Sequence, residues 1–240
     1  MSLRLIPISI FWYFCFGASL VWHTPRLFWT KRKAKSMPQK EFDLYINKIA
    51  SRWALGNVRR SGAKFHIEGF ENIPKDQAVV FVANHQGDFD IAVFLAYLPV
   101  PHGYVAKIEM LKVPLLRSWM KNMRCIFIDR NSIRQTAGVM LEGIKILKSG
   151  HSLVLFPEGT RSKSDTMSEF KAASFKLASK AKVPIVPVTI NGTYRIMEAN
   201  RGLIKSENVH VKIHPAIPTE NADIAGLPEK VREVIAEGLL

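Results

Sequence analysis

The stretch AVVFVANHQGDFDIAVFLAYL, residues 78–98, places a polar heptapeptide between two apolar runs. The first run, residues 78–83, is short and rich in valine, as is typical of a buried β-strand. The second run, residues 91–98, fits the start of a buried helix. We therefore predict a strand–loop–helix unit whose loop holds NHQGDFD, residues 84–90, with His85 at the end of the strand.

A histidine and a nearby carboxylate in this loop are candidates for acid–base chemistry. Asp88 or Asp90 would lie in the first turn of the helix. There a short acceptor side chain caps the helix, and its negative charge interacts favourably with the positive end of the helix dipole. A carboxylate bonded to one ring nitrogen of His85 fixes the tautomer, so that the other nitrogen takes a proton from an alcohol. The alternative is structural, with the histidine closing a strand and the aspartates capping a helix.

A second motif, FPEGTRS at residues 156–162, follows another strand-like run at residues 152–156. Gly159 allows the backbone to come close to a ligand. Thr160 adds a hydroxyl and Arg161 adds a planar guanidinium, which suit a phosphate group. We interpret the motif as an anion-binding loop; the alternative is a surface turn with an exposed ion pair.

Four blocks together resemble the glycerolipid acyltransferases, most closely the 1-acylglycerol-3-phosphate acyltransferases, which make phosphatidic acid. The blocks are His85 with Asp90 at the H-x4-D spacing, CIFIDR at 125–130, FPEGTRS at 156–162 and VPIVPVTI at 183–190. They span about half of the chain in the family's order. The resemblance implies that Asp90, and not Asp88, is the partner of His85, because only Asp90 has the family's spacing.

The resemblance implies a reaction. His85, oriented by Asp90, would deprotonate the sn-2 hydroxyl of 1-acyl-sn-glycerol 3-phosphate (lysophosphatidic acid), which then attacks a thioester donor to give phosphatidic acid in phospholipid biosynthesis. The donor would be acyl-CoA or acyl-carrier protein, with no other cofactor. The tetrahedral intermediate of this reaction carries an oxyanion. Backbone amides near Gly159, or at the start of the helix that follows His85, are candidate hydrogen-bond donors to it.

The resemblance also implies a binding site for the glycerol phosphate head group. Its residues would be Arg130, Glu158, Gly159 and Arg161, with Lys107 a weaker candidate. The block VPIVPVTI is predicted to be a strand near the acyl pocket.

Three alternatives to this function remain open. The chain could acylate another lysolipid or glycerol 3-phosphate, or it could bind anionic lipid without catalysis. It could also be a metal hydrolase with His85, Asp90 and Glu158 as ligands, but these residues lack a typical ligand spacing, and we predict no metal site. No G-x-S-x-G elbow occurs in the sequence, so direct transfer is favoured over an acyl-enzyme.

The charge of the chain predicts a polyanionic partner. Its 34 basic residues against 20 acidic ones give a formal net charge of +14, which suits nucleic acid or an anionic bilayer. No zinc-finger spacing or ribonucleoprotein-type aromatic block occurs in the sequence, so we predict no nucleic-acid binding. The partners predicted are membrane lipid (lysophosphatidic acid), an anionic bilayer surface and, if it is the donor, acyl-carrier protein.

The amino-terminal segment supports the bilayer. Residues 5–22 contain no charged residue. As a helix they would be about 27 Å long, enough either to span a bilayer or to lie in its surface. Trp22, His23 and Pro25 stand where a signal peptide would need small residues, so cleavage is disfavoured. The basic cluster at residues 26–35 predicts a location on the cytoplasmic face of the cell membrane.

The chain is predicted to have two parts. Residues 1–60 would form a membrane-associated pair of helices, one hydrophobic and one amphipathic, and residues 61–240 the catalytic domain. The amphipathic helix, around residues 42–53, would pack on the catalytic core or lie on the membrane beside the first helix. The catalytic domain is predicted to be α/β, with a mixed or parallel central sheet flanked by helices. Its predicted strands are 81–83, 104–106, 126–128, 153–156 and 185–190, and its predicted helices include 133–147, 170–182 and 227–239.

Overall fold

The computed structural model describes residues 3–129, 133–220 and 222–239. Its helices are α1 (Leu5–Trp22), α2 (Thr24–Ser36), α3 (Gln39–Arg60), α4 (Phe89–Tyr97), α5 (Pro114–Asn122), α6 (Ile133–Lys148), α7 (Ala173–Ala181) and α8 (Leu227–Glu237). Its strands are β1 (Lys64–Glu68), β2 (Val80–Ala83), β3 (His102–Lys107), β4 (Ile126–Ile128), β5 (Ser152–Leu155), β6 (Ile185–Asn191) and β7 (Asn208–Ile213). The strand–loop–helix unit predicted from residues 78–98 is therefore β2 followed by α4.

The strands of the described residues form one seven-stranded sheet in the order β1-β7-β6-β2-β5-β3-β4. Neighbouring strands run parallel except β6 and β7, which are antiparallel, so the sheet is mixed and the predicted α/β class is confirmed. Asn84 follows β2 directly, and its side-chain amide bonds to both the N–H and the C=O of Ile190 in β6, each at 2.8 Å.

The burial of each strand follows from its place in the sheet. Each residue of β2 is buried, because the strand lies between β6 and β5 and helices cover both faces of the sheet. This is why residues 78–83 form a continuous apolar run. The edge strand β1 and its neighbour β7 alternate instead; in β7, Val209, Val211 and Ile213 are buried and their neighbours are exposed. The prediction lacked β1 and β7, although this period-two alternation is a sequence signal that would have found them.

Helix α3 packs its apolar face on the sheet and α4. Phe42 and Ile46 are buried in the same cluster as Phe81 and Phe94 of the sheet and α4. Of the two interpretations of this amphipathic segment, packing on the core is therefore what the structure contains.

A buried polar contact also holds α3. Its Asp43 accepts hydrogen bonds from Gln39 at 2.7 Å and from Arg124 at 3.2 Å, and lies 3.0 Å from His151 Nδ1. Burial acts to raise the pKa of Asp43, but the hydrogen bond to His151 and the charges of His151 and Arg124 hold it below its usual value.

Helices α1 and α2 leave much apolar surface exposed. They form a helical stretch, Leu5–Ser36, that is long and apolar enough to cross a membrane by length and composition, with a mean hydropathy of 1.7 over its most apolar window. Exposed large side chains on it include Phe11, Phe14, Trp22, Phe28 and Trp29. One side of α1 nevertheless faces the protein, where the Trp12 indole donates to the Asn57 carbonyl at 2.9 Å.

Gly69, which follows β1, approaches the end of β7 closely, and Gly150 is a comparison position without such a contact. Gly69 and Gly150 have nearly the same positive φ, 87° and 85°. A Cβ on Gly69 would lie 2.0 Å from the Ile213 carbonyl oxygen, whereas a Cβ on Gly150 would meet nothing within 4 Å. We expect Gly150→Ala to lower the free energy of unfolding by about 1–2 kcal/mol through its backbone conformation alone. Gly69→Ala should cost about 2–5 kcal/mol, because overpacking adds to the same backbone term.

Denaturant unfolding of both variants beside the wild type, in the same detergent, measures this difference. Equal losses for the two variants would mean that the β1–β7 contact relaxes freely around the new methyl group.

Candidate active site

The two motifs meet because β2 and β5 are parallel neighbours in the sheet. The loops that follow such strands leave from the same edge, the usual place for a functional site in an α/β fold. Backbone hydrogen bonds join the loops directly. The N–H of Ser162 donates to the His85 carbonyl at 2.8 Å, and the N–H of Lys163 donates to the Gln86 carbonyl at 3.1 Å.

Glu158 joins the same loops through its side chain. One carboxylate oxygen accepts the backbone N–H of His85 at 2.7 Å, and the other accepts the backbone N–H of Ser168 at 2.9 Å. The side chain is buried, and this burial raises the pKa of Glu158 even though both N–H donors act to lower it. Glu158 thus contacts protein backbone with both oxygens.

His85 and Asp90 form a hydrogen-bonded pair, with 2.7 Å between Nδ1 and Oδ2. The same Oδ2 accepts the backbone N–H groups of Gln86 at 2.6 Å and Gly87 at 3.0 Å, and Asp90 is fully buried. The imidazole of His85 is 15% exposed and stacks on Phe156 with ring centroids 4.1 Å apart. With Nδ1 donating to the carboxylate, Nε2 carries the lone pair, and it has no partner among the described residues.

The loop after β6 is a third part of the site, which the sequence reasoning missed. The Thr193 hydroxyl donates to Oδ1 of Asp90, and the N–H of Gly192 donates to Gln86 Oε1 at 2.8 Å. The first contact occupies the second oxygen of Asp90, and the second holds the side chain of Gln86, which follows His85. The only sequence signal for Thr193 is that it comes soon after the block VPIVPVTI.

Arg161 lies between two carboxylates. Its Nη1 forms an ion pair with Asp88 and lies 3.4 Å from Glu198 Oε1. The same Glu198 oxygen accepts the backbone N–H of Asp88 at 2.8 Å. Burial raises the pKa of Glu198, although the N–H of Asp88 acts to lower it. No pattern in the sequence pointed to Glu198.

The other predicted residues are placed as follows. Gly159 has a φ of 76°, and its N–H donates to the Phe156 carbonyl at 3.0 Å. Thr160 is exposed in the same loop. Lys107 is exposed at the end of β3, at the same edge of the sheet but separated from β2 by β5. Arg130 lies outside the described residues.

The residues named in the metal-hydrolase alternative are engaged with protein groups. Nδ1 of His85 is bonded to Asp90, and both oxygens of Glu158 accept backbone N–H groups. The described residues contain no group of three or more histidine, cysteine, aspartate or glutamate side chains that could hold a metal ion.

Known proteins resemble this chain in sequence. Residues 64–191 match the protein family described as Acyltransferase. The chain is 34% identical over 204 residues to a chloroplastic 1-acyl-sn-glycerol-3-phosphate acyltransferase of Arabidopsis thaliana, which covers 82% of this chain and 56% of the relative. It is 32% identical over 173 residues to a 1-acyl-sn-glycerol-3-phosphate acyltransferase of Borreliella burgdorferi, covering 72% of this chain and 67% of that relative. The chain thus spans between about half and two thirds of the length of these curated relatives.

A solved structure resembles it as well. The crystal structure of the 1-acyl-sn-glycerophosphate acyltransferase PlsC from Thermotoga maritima has a TM-score of 0.86 and 27% sequence identity, covering 98% of this chain and 95% of that one. The likeness therefore includes the amino-terminal helices as well as the sheet. From the match over residues 64–191 and these relatives, the chain belongs to the acyltransferase family.

Proposed function

We propose that this chain is a 1-acylglycerol-3-phosphate O-acyltransferase. It would move a fatty acyl group from a thioester, either acyl-CoA or acyl-carrier protein, to the sn-2 hydroxyl of lysophosphatidic acid. The observation that carries the proposal is the pair of His85 and buried Asp90, with the imidazole partly exposed beside an arginine loop. The names of the Arabidopsis, Borreliella and Thermotoga proteins support the same substrate.

The proposed mechanism starts with proton transfer to His85. Nε2 takes the proton of the sn-2 hydroxyl as its oxygen attacks the thioester carbonyl, and Asp90 stabilises the imidazolium that forms. The tetrahedral intermediate collapses with breakage of the carbon–sulfur bond. The imidazolium then returns its proton to the leaving thiolate, so that the products are phosphatidic acid and the free thiol.

The oxyanion of that intermediate needs hydrogen-bond donors. Four of the expected amides are already engaged: those of Gln86 and Gly87 donate to Asp90, that of Asp88 to Glu198, and that of Gly159 to Phe156. In the described part of the chain the backbone N–H groups of Thr160 and Arg161 have no acceptor. We assign the oxyanion to these two donors.

The phosphate of the lysolipid would bind Arg161, whose guanidinium lies at the mouth of the site and is 34% exposed. Lys107 would add positive charge from the end of β3, and Arg130, two positions after β4 in the sequence, is proposed to add another. Glu158 would act indirectly, since its bonds to the backbone of His85 and Ser168 hold the base and the arginine loop together.

The amino-terminal helices would bind the cytoplasmic face of the membrane. Their exposed aromatic side chains suit the lipid interface, and the basic residues of α2 suit anionic head groups. Helix α1 also reaches the site, because Trp12 packs 5.5 Å from the Phe89 ring, next to Asp90. This arrangement would keep the base close to a lysolipid in the bilayer surface.

The first prediction concerns the base. We expect His85→Ala to lower kcat by about 10²–10⁴-fold, the usual contribution of general base catalysis, with lysophosphatidate binding retained. A thioester-release assay with lysophosphatidic acid in micelles, run once with acyl-CoA and once with acyl-carrier protein, measures this loss and identifies the donor. His210→Ala, which removes an exposed imidazole from β7, is the control and should keep full activity. Absence of wild-type turnover with both donors would point to another lysolipid acceptor or to a binding protein.

The second prediction concerns the phosphate. We expect Arg161→Ala to raise the KM for lysophosphatidic acid about tenfold or more, and kcat to fall less, because a charge-assisted hydrogen bond to the ground-state substrate is lost. Lys180→Ala removes a positive charge from the exposed side of α7 and controls for the overall charge. An unchanged KM in Arg161→Ala would remove the phosphate role from this residue.

The third prediction concerns the membrane. Phe14 is an exposed aromatic residue of α1, and Leu141 is an exposed apolar residue of α6. We expect Phe14→Glu to lower partition into vesicles containing phosphatidylglycerol about tenfold or more, since insertion of one aromatic side chain is worth about 1.5–3 kcal/mol. Leu141→Glu should leave flotation with the same vesicles unchanged. Equal effects of the two substitutions would mean that α1 does not form the membrane contact.

A further inference from the structure

Asp88 has no role in the chemistry proposed above. The H-x4-D spacing selects Asp90 as the partner of His85, and the structure pairs these two residues. Asp88 occupies the position before α4, yet among the described residues its side chain makes no capping hydrogen bond to the helix. The sequence alternative in which Asp88 caps the helix is therefore wrong. Its carboxylate contacts Arg161 instead.

The two carboxylates around Arg161 differ in their surroundings. Asp88 is 59% exposed, whereas Glu198 is 5% exposed. Both act on the same guanidinium nitrogen, Nη1. The other nitrogens of Arg161 donate to no acceptor in the described part of the chain, so that edge of the guanidinium is open to a ligand.

We propose that Glu198 is a fixed positioning residue for Arg161, and that Asp88 is a displaceable counter-ion that holds Arg161 until the phosphate of the lysolipid replaces it. The proposal rests on the proposed function, because it takes Arg161 to be the phosphate-binding residue. On this proposal Asp88 lowers the affinity for the lysolipid acceptor, because its carboxylate competes with the lysolipid phosphate for Arg161.

Glu198 is held in place by its neighbours. Its Oε1 accepts the backbone N–H of Asp88 at 2.8 Å, which ties it to the loop of the base. Its carboxylate also lies directly over Gly87, where a Cβ would come within 2.5 Å of Oε2. A larger residue than glycine at position 87 would push this carboxylate away. A side chain so enclosed does not move aside when a ligand arrives.

The segment that carries Glu198 is anchored on α1. The Tyr13 hydroxyl donates to the Gly202 carbonyl at 2.8 Å, and the Ile204 N–H donates to the Ser9 hydroxyl at 2.8 Å. The position of Glu198, and through it that of Arg161, is therefore set partly by the helix that carries the exposed apolar surface.

The side chain of Asp88 can move away from Arg161. It is largely in solvent, and an ion pair at such a site contributes little to stability. A phosphate monoester carries more charge than a carboxylate and binds a guanidinium through two parallel hydrogen bonds. It would also repel Asp88 at this short range. The exchange of Asp88 for phosphate is then favourable, but the affinity for the lysolipid is lower than it would be without the competitor.

Two substitutions with opposite expected signs test the proposal. Asp88→Asn keeps the size of the side chain and removes the competitor, so the KM for lysophosphatidic acid should fall about threefold with kcat within twofold of the wild type. Glu198→Gln keeps an acceptor for the Asp88 N–H but loses the charge that aligns Arg161, so KM should rise about fivefold. Asp76→Asn, an exposed carboxylate in the loop before β2, removes the same charge and should change neither constant.

Inorganic phosphate provides a readout that does not need turnover. As a competitive inhibitor against lysophosphatidic acid, it should bind Asp88→Asn about threefold more tightly than the wild type, and Glu198→Gln more weakly. Its stabilisation of each protein against thermal unfolding should follow the same order. The order of phosphate affinities separates this inference from the proposed function. A wild type that does not turn over lysophosphatidic acid would overturn the proposed function. The phosphate affinities of the variants would still decide the roles of Asp88 and Glu198.

An unchanged or raised KM together with unchanged phosphate affinity in Asp88→Asn would overturn the competitor role. Wild-type values in Glu198→Gln would overturn the positioning role. If Glu198→Gln unfolds early, the Asp88→Asn arm alone decides the competition, because Asp88 is an exposed residue that makes no helix cap.

Discussion

The parallel pairing of β2 with β5 is the constraint on which the site depends. His85 and Glu158 are separated by 73 positions in sequence, yet the strands before them are neighbours, so the two loops leave the sheet side by side. The buried carboxylate of Glu158 and the N–H of Ser162 then join the loops at fixed distances from His85. A different strand between β2 and β5 would separate the proposed base from the proposed phosphate-binding arginine.

Buried carboxylates surround this junction in a strongly basic chain. Asp90, Glu158 and Glu198 are each removed from water and each accept backbone N–H groups from a loop of the site. Burial of a carboxylate is unfavourable unless hydrogen bonds replace water. The amides supply such bonds to Oδ2 of Asp90, to both oxygens of Glu158 and to Oε1 of Glu198, whereas Oε2 of Glu198 has no partner among the described residues. The same amides are the ones that oxyanion binding would otherwise use. The loops are therefore held in shape by the groups that the sequence suggested as donors to substrate.

Helix α1, which we propose binds the membrane, and the proposed site form one connected structure. Helix α1 exposes its aromatic side chains on one side, while Trp12 packs near Phe89 and Tyr13 bonds to the segment that carries Glu198. Helix α3 packs on α4 and the sheet beneath them, with Phe42 and Ile46 in the core. On the proposed function, a lysolipid that reaches Arg161 from the bilayer surface would meet residues whose positions depend on the helix proposed to bind the bilayer.

The sequence by itself determined the α/β class, the unit of β2 and α4, and the two loops that hold His85, Asp90 and Arg161. These features follow from local patterns, since a valine-rich run, a short polar loop and a helical run are each visible within about ten residues. Local reasoning left Asp88 and Asp90 open as partners of His85; the H-x4-D spacing of the family that the chain resembles implied Asp90, and the structure pairs Asp90 with His85. Only the tertiary structure decided that Thr193 bonds to Asp90, that Glu198 and Asp88 share Arg161, and that α3 packs on the core. Thr193 and Glu198 contact residues of the loop after β2 that are more than a hundred positions away in the chain. These contacts depend on the order of the strands in the sheet, which local sequence patterns do not reveal.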